Sequence, residues 1–497
     1  MLILLSILFP IFCGVALFFR NTRFGKEGHA LYLAGMLITD VLVLLMMFKA
    51  GPITLFSLSD RVSFSFSVDT IGRWFLVAVI ITYTLTLFYS FVYMRIEERD
   101  STFFAFYFVS LGALIAVCTA SNLVTAYLAF ELTTLSTMPL VLHEQTPAAV
   151  AAGLKYLFYS IGGAFLGLLG VFFVYHYAGD VTSFTISGIL DPARIAGHET
   201  VLYVIIFLTI LGFGTKAGMY PMHGWLPTAH PIAPAPASAL LSGVIAKSGV
   251  LMIIRFIFFS VGAEFVRGTW VQTAWMCLAM LTIFMGSMMA FREPVLKKRL
   301  AYSTVSQISY VLLGLSLLTQ EGLNGGLLQV MQHAASKSCL FLCAGAFIYY
   351  YGKRNVQELR GIGAVMPITL WCFTFAAMSL VGIPPMGGFT SKWHLALAAL
   401  NSNLGFFSIL APVILLVSAL LTAGYLFPIM INGFFPGEEH HAVDVEGEVE
   451  IDVDNDEHPV QDSSSRLMWI PMIGLCVVSL VIGLFGSSFL SYFGGLV

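Results

Sequence analysis

Long apolar runs separated by short polar stretches follow one another along the whole chain. Most runs are about 20 residues long, the length that an α-helix needs to cross a hydrocarbon layer of about 30 Å. They lack the strict alternation of apolar and polar residues found in transmembrane β-strands. The pattern predicts an all-α polytopic membrane protein with about fourteen transmembrane helices, near 2–19, 30–48, 71–94, 103–119, 121–142, 151–176, 201–220, 234–259, 270–291, 300–318, 325–351, 366–400, 407–433 and 467–490.

Composition supports this interpretation and limits the cofactors and metals that the chain could hold. Hydrophobic residues make up 58 % of the chain and charged residues only 10 %, against about 25 % charged in an ordinary soluble domain. The first run has no basic segment before it and no cleavage site after it, so we expect it to stay as the first span. The seven cysteines lie in apolar runs without CxxC spacing, and GxGxxG and Walker A sequences are absent. We therefore expect no cofactor and no metal on this chain.

The distribution of basic residues predicts the topology. Twelve of the 24 Lys and Arg lie in the loops 20–29, 95–102, 292–299 and 353–360. Positive residues concentrate in cytoplasmic loops. The chain is therefore predicted to lie in the cytoplasmic (inner) membrane of a prokaryote with both termini outside.

One cytoplasmic loop differs sharply in charge. Between Glu438 and Asp462 there are eleven carboxylates and no Lys or Arg. Such a charge run is disordered by default. However, valines and an isoleucine alternate with carboxylates around Glu446 and Gly447, which is typical of a short hairpin with one apolar face. We expect a neighbouring subunit to cover that face if the hairpin forms.

An internal repeat indicates two related halves. The sequence AGLKYLFYSIGGAF around Lys155 matches AASKSCLFLCAGAF around Lys337, and two further matches follow in the same order. Each match is displaced by five spans, so the halves must run in opposite senses through the membrane. We therefore predict flanking spans 1–3 (1–100), two inverted five-helix repeats of spans 4–8 (101–260) and 9–13 (261–435), an acidic loop (436–466) and a last span (467–497).

The seventh and twelfth spans are predicted to be broken helices. Proline and glycine cluster after Tyr220 in one and from Gly382 in the other. Proline removes a backbone donor, and unwound backbone at membrane depth is tolerated where it lines a hydrated cavity or lies within protein. The ion pathway is expected at these two breaks.

Ionisable residues inside the predicted spans are the candidate site. Each costs roughly 2.5–3.5 kcal/mol at a helix centre, so a set recurring in both halves points to function. Burial favours the neutral form of an amine and a nearby carboxylate favours its charged form, which suits proton transfer. The alternatives are that Lys155 and Lys337 reach the membrane surface and that Glu131 belongs to a static ion pair. The proposed pathway residues are Glu131, Lys155, Lys216, His223, Lys247, His333, Lys337 and Lys392.

Several motifs resemble those of the antiporter-like membrane subunits shared by respiratory complex I, Mrp-type sodium/proton antiporters and energy-converting membrane-bound hydrogenases. The resemblance covers roughly spans 4 to 13. It implies a Glu131–Lys216 pair in the input half, Lys247 at the centre, His333 and Lys337 on the connecting axis, and Lys392 at the output. The motifs are AFELTTL at 129–135, KAGMYPMHGWLPTAH at 216–230, APAPASALL at 233–241, RLAYSTVSQ at 299–307, HAASK at 333–337 and GIPPMGGFTSK at 382–392.

This resemblance implies a subunit that translocates protons, or Na⁺, within a multisubunit complex. Its partners would be homologous antiporter-like subunits, small membrane subunits and lipid, with no nucleic acid. If the complex is redox-driven, iron–sulfur clusters, a nickel–iron site or flavin would lie on partner subunits. The chain departs from the family at Thr228, where Asp is common, and at Gln307, where His is common.

Other functions remain open at this point. They are a subunit of a gradient-driven Mrp-type antiporter, a self-sufficient secondary cation/proton antiporter, and a proton-conducting partner of an inorganic-carbon uptake enzyme. The segment AHPIAPAP at 229–236 favours the redox-driven group. Intramembrane Lys and His favour protons over Na⁺, which prefers oxygen ligands.

Overall fold

The computed structural model describes residues 1–20, 26–59, 62–97, 99–437 and 465–493. The acidic segment from Glu438 to Asp462, including its predicted hairpin, lies outside these residues. Helices occupy all fourteen predicted span positions. The first seven spans are Leu2–Arg20, Lys26–Lys49, Thr70–Tyr93, Asp100–Thr119, Leu123–Val141, Pro147–Tyr177 and Glu199–Ala217, and the others are Ala235–Val261, Trp270–Arg292, Leu296–Ser316, Gln320–Tyr351, Pro367–Val381 with Gly387–Leu400, Phe406–Phe434 and Arg466–Leu484.

Burial explains why the helices differ in hydropathy. Eleven of them are long and apolar enough to cross a membrane. The tenth and eleventh spans carry many serines, threonines and glutamines, but these side chains are buried within the protein rather than facing lipid. The twelfth position is interrupted, so neither half reaches the full length alone. A helix surrounded by other helices can therefore be polar without contacting hydrocarbon.

Both predicted breaks are present. The seventh span ends at Ala217, and a short helix, Leu226–Ile232, follows before the eighth span. The twelfth span stops at Val381 and restarts at Gly387. Glycines close both first halves in the left-handed conformation, Gly218 at φ +78° and Gly382 at φ +96°, because a side chain would be strained there.

The eighth and eleventh spans form the centre of the molecule. The eighth is fully buried over its hydrophobic window. It contains π-helical turns at Leu241–Ile245 and Ile257–Val261. The eleventh span packs against the third, tenth, twelfth and fourteenth spans. These two helices therefore carry their polar groups into the protein interior.

A two-stranded antiparallel sheet was not expected from the sequence. Strands β1 (Ile53–Ser59) and β2 (Val62–Phe66) connect the second and third spans. Hydrogen bonds from Asn122 to the carbonyl of Ser63 (2.8 Å) and from Ser67 to the carbonyl of Thr119 (2.7 Å) tie β2 to the turn between the fourth and fifth spans. This β1–β2 hairpin marks one side of the membrane, which is called the hairpin side below.

Candidate functional site

Lys216 lies in the last turn before the first break, where its side chain is 1 % exposed. Its Nζ donates to Thr134 Oγ1 at 3.0 Å and to the Tyr156 hydroxyl. The Tyr156 hydroxyl is 2.7 Å from Thr137 Oγ1. Its ring centroid is 4.5 Å from the amine, a cation–π distance. Two neutral hydroxyls, rather than a carboxylate, therefore hold this amine.

Glu131 lies three residues before Thr134 on the fifth span and is half-buried. Its Oε1 is buried and has no hydrogen-bond partner among the residues that the structure describes. No ion pair within 4.0 Å joins Glu131 to Lys216 in this described part. The two groups implied as a pair are therefore not in direct contact, although they interact electrostatically, and the Thr134 hydroxyl accepts from the amine.

The first break is held by side chains at its ends. Trp225 Nε1 donates to the carbonyl of Thr215 at 2.8 Å, one of the carbonyls freed where the helix stops. His223 is half-buried within the break, and its ring stacks on Tyr220 with centroids 5.8 Å apart. An imidazole beside unwound backbone can exchange protons near neutral pH.

Lys155 differs from the prediction. It is exposed, not buried, and its Nζ donates to Thr228 Oγ1 at 2.9 Å. Leu154 and Phe158 on the same helix are exposed too, so this face points away from the protein interior. The predicted alternative, a lysine that reaches the membrane surface, is compatible with this exposed position. Lys155 still lies directly against the short helix after the first break.

Lys247 is buried at the end of the first π-helical segment. Its Nζ donates to the carbonyl of Ser242 at 2.8 Å and to that of Gly243. A π-turn opens the helix and leaves carbonyls available for an added donor. The hydroxyl of Ser242 is 2.8 Å from that of Thr304 on the tenth span. Lys247 therefore lies where the two halves meet.

His333 and Lys337 lie one turn apart on the eleventh span, and both are fully buried. Lys337 Nζ donates to the carbonyl of Leu300 at 3.0 Å. Both ring nitrogens of His333 are without a hydrogen-bond partner in the described residues. His333 interacts electrostatically with Lys247, Lys337 and Lys392. His333 is therefore within electrostatic range of both the central amines and the amine at the second break.

Lys392 follows the second break and is half-buried. Its Nζ donates to the carbonyls of Leu380 and Val381, the second at 3.0 Å, and lies 5.0 Å from the centroid of Tyr310. A Cβ on Gly382 would meet the side chain of Lys392 at 3.1 Å. Lys392 thus caps the interrupted helix in the second half as Trp225 does in the first.

Hydrogen bonds between amides and hydroxyls connect the tenth, eleventh and twelfth spans. Gln329 Nε2 donates to Gln307 Oε1 at 3.1 Å, and the Ser391 hydroxyl donates to Gln329 Oε1 at 2.6 Å. Gln332 Nε2 donates to the Ser379 hydroxyl at 3.0 Å. The sequence departure at Gln307 therefore leaves a hydrogen-bonded residue in that position.

Sequence reasoning missed several polar residues of the site. Lys297 falls in a predicted loop, but it is 5 % exposed and its Nζ donates to the carbonyls of Pro231 and Ala233. His230 is fully buried, stacks on Phe341 with centroids 4.7 Å apart, and has no hydrogen-bond partner on either ring nitrogen within the described ranges. The sequence gives no indication of a role for Tyr156 apart from its position next to Lys155. Within the described ranges, no group of three or more His, Cys, Asp and Glu could hold a metal ion.

Comparison with known proteins gives a family match. Residues 120–422 match the family model described as "NADH:quinone oxidoreductase/Mrp antiporter, TM". NADH-quinone oxidoreductase subunit N of Desulforudis audaxviator is 31 % identical over 405 residues, covering 80 % of this chain and 77 % of that protein. A Na⁺/H⁺ antiporter subunit of Alkalihalophilus pseudofirmus is 28 % identical over 449 residues, covering 88 % of each chain.

The fold also matches a solved structure. A chain of the Mrp complex from Dietzia sp. superposes with a TM-score of 0.81 at 23 % identity, covering 100 % of this chain and 97 % of that one. The matched length includes both broken helices and the flanking spans. At this identity the likeness concerns the fold.

Proposed function

The chain belongs to the NADH:quinone oxidoreductase/Mrp antiporter membrane family, and from this we propose that it translocates protons as an antiporter-like subunit of a multisubunit membrane complex. The observation that carries the proposal is a row of buried amines held by neutral oxygen atoms. Lys216, Lys247, Lys337 and Lys392 donate to hydroxyls or backbone carbonyls.

Neutral partners are what a proton carrier needs. A buried lysine bound to a carboxylate leaves an uncompensated negative charge when it loses its proton, at a cost of several kcal/mol. A lysine held by a hydroxyl or a carbonyl leaves no such charge. The ammonium and amine forms of these side chains can therefore both occur without breaking an ion pair.

We propose that the proton moves along this row between the two breaks. A change in a partner subunit alters the distance between Glu131 and Lys216 and thereby the proton affinity of Lys216. The proton then passes by way of Lys247, His333 and Lys337 to Lys392. His223 lies in the first break and serves the input side, and Lys155 lies at the surface beside that break, where it faces a partner or lipid.

Protons suit this site better than Na⁺. Sodium prefers oxygen ligands, and carboxylates above all. Among the named pathway residues only Glu131 is a carboxylate, and the others are amines and imidazoles. Repeated Lys and His are groups that bind and release protons.

We propose that partner subunits supply the energy for translocation. We propose a redox-driven complex, resembling complex I or a membrane-bound hydrogenase, in which iron–sulfur clusters, a nickel–iron site or flavin belong to other subunits. The 31 % identical relative, a subunit of an NADH-quinone oxidoreductase, supports this. The Na⁺/H⁺ antiporter relative, matched over 88 % of both chains, supports the gradient-driven alternative. Identification of the subunits that copurify with the native chain separates the two.

The two-repeat organisation and the topology are part of the proposal. Two five-helix halves, 101–260 and 261–435, place their breaks at corresponding positions, and the inverted arrangement follows from the odd displacement. The basic loops place both termini outside a prokaryotic cytoplasmic membrane. The hairpin side is then the outer side.

Lys216→Met tests the function directly. In the assembled complex, reconstituted in sealed vesicles, we expect the variant to lose proton translocation together with any counter-ion flux that proton movement drives. Lys49→Met, at an exposed lysine of the second span, is the matched control and should pump normally. Full coupling in an assembled Lys216→Met complex would rule out the assigned role.

A further inference from the structure

A buried ion pair lies apart from the row of amines, at the hairpin end of the eighth span. Arg255 has 2 % of its side chain exposed, and both terminal nitrogens donate to the carboxylate of Asp69, Nη2 to Oδ1 at 2.7 Å. The guanidinium carbon lies 5.0 Å from the ring centroid of Phe184 and 5.3 Å from that of Phe259. Its Nε is buried without a hydrogen-bond partner in the described residues.

Outside this pair lies a cavity of about 550 Å³ that we call the vestibule. Asp69 is 38 % exposed toward it, whereas Arg255 forms part of its floor. The wall is rich in hydroxyl groups, which suit water better than an apolar ligand. These hydroxyls come from Thr54, Ser63, Ser67, Ser121, Ser183 and Thr185.

Inside the pair the structure narrows and then reaches Lys247. A Cβ on Gly72 would lie 2.3 Å from the carbonyl oxygen of Cys118 and 3.5 Å from Arg255 Nη2, so only glycine fits this neck. Beyond it is a cavity of about 10 Å³ that Lys247 and Ser248 line together with mostly apolar side chains, among them Phe75 and Leu251. An apolar cavity of this size stays dry, which fits a closed neck.

The ion pair therefore stands between a hydrated vestibule and a central lysine. Lys247 and Arg255 are eight residues apart on one helix, about 12 Å along its axis. We propose that the vestibule is a hairpin-side port for proton exchange with Lys247, in which Asp69 is the exchanging group and Arg255 closes the neck. This inference rests on the proposed function and adds a route to it.

The charges suit these roles. Burial would raise the pKa of Asp69, but the Arg255 guanidinium and the Gly72 amide outweigh it and hold that pKa below its usual range. The resting port thus holds an ionised Asp69 whose charge is neutralised by the Arg255 guanidinium in the neck. When the neck opens, a proton leaves the Lys247 ammonium through water and binds the Asp69 carboxylate. Neutral Asp69 then releases it to water in the vestibule.

Cys118 is a natural reporter for the neck, because it is buried between the two cavities. In the assembled complex, a small, charged methanethiosulfonate reagent is added on the hairpin side, and modification is located by peptide mass spectrometry. We expect Cys118 to be unreactive in the unaltered protein and to react severalfold faster in Arg255→Gln. An assembled Arg255→Gln complex in which Cys118 stays unreactive would contradict the proposal that Arg255 closes the neck.

Two further variants test the port by turnover. Asp69→Asn should lower proton translocation, and normal translocation would remove Asp69 from the route.

If the Arg255→Gln complex does not assemble, Ser183→Trp provides the test, because the introduced tryptophan side chain occupies the vestibule. Val181→Trp, two residues away and outside the vestibule lining, is its control. Equal rates in the two tryptophan variants contradict the port. Cys118 labelling does not depend on proton pumping. Its outcome is therefore independent of the outcome of the Lys216→Met test.

Discussion

Lys216 Nζ and Thr134 Oγ1 are 3.0 Å apart, and Thr134 follows Glu131 by three residues on the same helix. The Thr134 hydroxyl thus occupies a position from which a carboxylate would stabilise the charged form of Lys216. Under the proposed function, a shift of the fifth span relative to the seventh changes the electrostatic interaction between Glu131 and Lys216 and with it the proton affinity of the amine.

Tyr156→Phe should lower proton translocation without preventing assembly. The substitution removes one of the two hydroxyls that hold Lys216 and leaves the buried ring in place. We expect a smaller loss than in Lys216→Met, measured as protons moved per turnover in sealed vesicles. Tyr159→Phe, on the same helix and half-buried, serves as control. Equal rates in both tyrosine variants would show that the Tyr156 hydroxyl has no part in transfer.

Glu131→Gln should lower pumping and leave assembly intact. The buried Oε1 has no hydrogen-bond partner in the described residues, so loss of the charge breaks no ion pair there. Pumping in vesicles and the yield of assembled complex are the two measurements. A complex that fails to assemble would instead support a static structural role for Glu131.

Gly388→Ala should destabilise the second half of the protein. A Cβ there would lie 1.6 Å from the carbonyl oxygen of Ser379, so the restarted helix of the twelfth span must shift. Overpacking of this kind costs about 1–3 kcal/mol or more. Thermal unfolding of the detergent-solubilised complex measures it. Gly162→Ala, with open space around its Cβ in the interior of a helix, should unfold at the unaltered or a slightly higher temperature, and equal melting of both variants would contradict the close contact.

Lys297→Met should weaken the attachment of the short helix Leu226–Ile232. The amine donates to the carbonyls of Pro231 and Ala233, and a buried carbonyl that loses its donor costs about 1–3 kcal/mol. The neighbouring Lys298→Met breaks a partly exposed ion pair with Glu293, in which the side chains are 39 % and 11 % exposed, and leaves no backbone carbonyl without its donor. We expect a clear drop in unfolding temperature for the first variant alone. A similar drop in both would assign no special role to Lys297.

The sequence is most informative where one residue type has one physical effect. Segments rich in both proline and glycine interrupt the seventh and twelfth spans, so both breaks are predicted from the sequence and confirmed by the structure. The β1–β2 sheet is not predicted, although residues 62–66 alternate apolar and serine side chains. An alternation of five residues between two long spans is too short to distinguish a strand from a loop.

Side-chain environment is harder to predict. The helix around Lys155 is apolar throughout, and a helix without a polar stripe gives no sign of which face is buried. Lys297 stands among other charged residues, which is typical of a loop, although it lies in the first turn of the tenth span. Neighbouring helices decide both cases, and a single sequence does not specify them.

The π-helical segment Leu241–Ile245 gives Lys247 an unusual property. The carbonyls that bind its amine belong to the lysine's own helix, and they are available because that segment is wound more widely than an α-helix. Rewinding the segment to the α form would withdraw these acceptors and rotate the side chains beyond it. The winding of this segment therefore determines which backbone carbonyls can accept a hydrogen bond from Lys247.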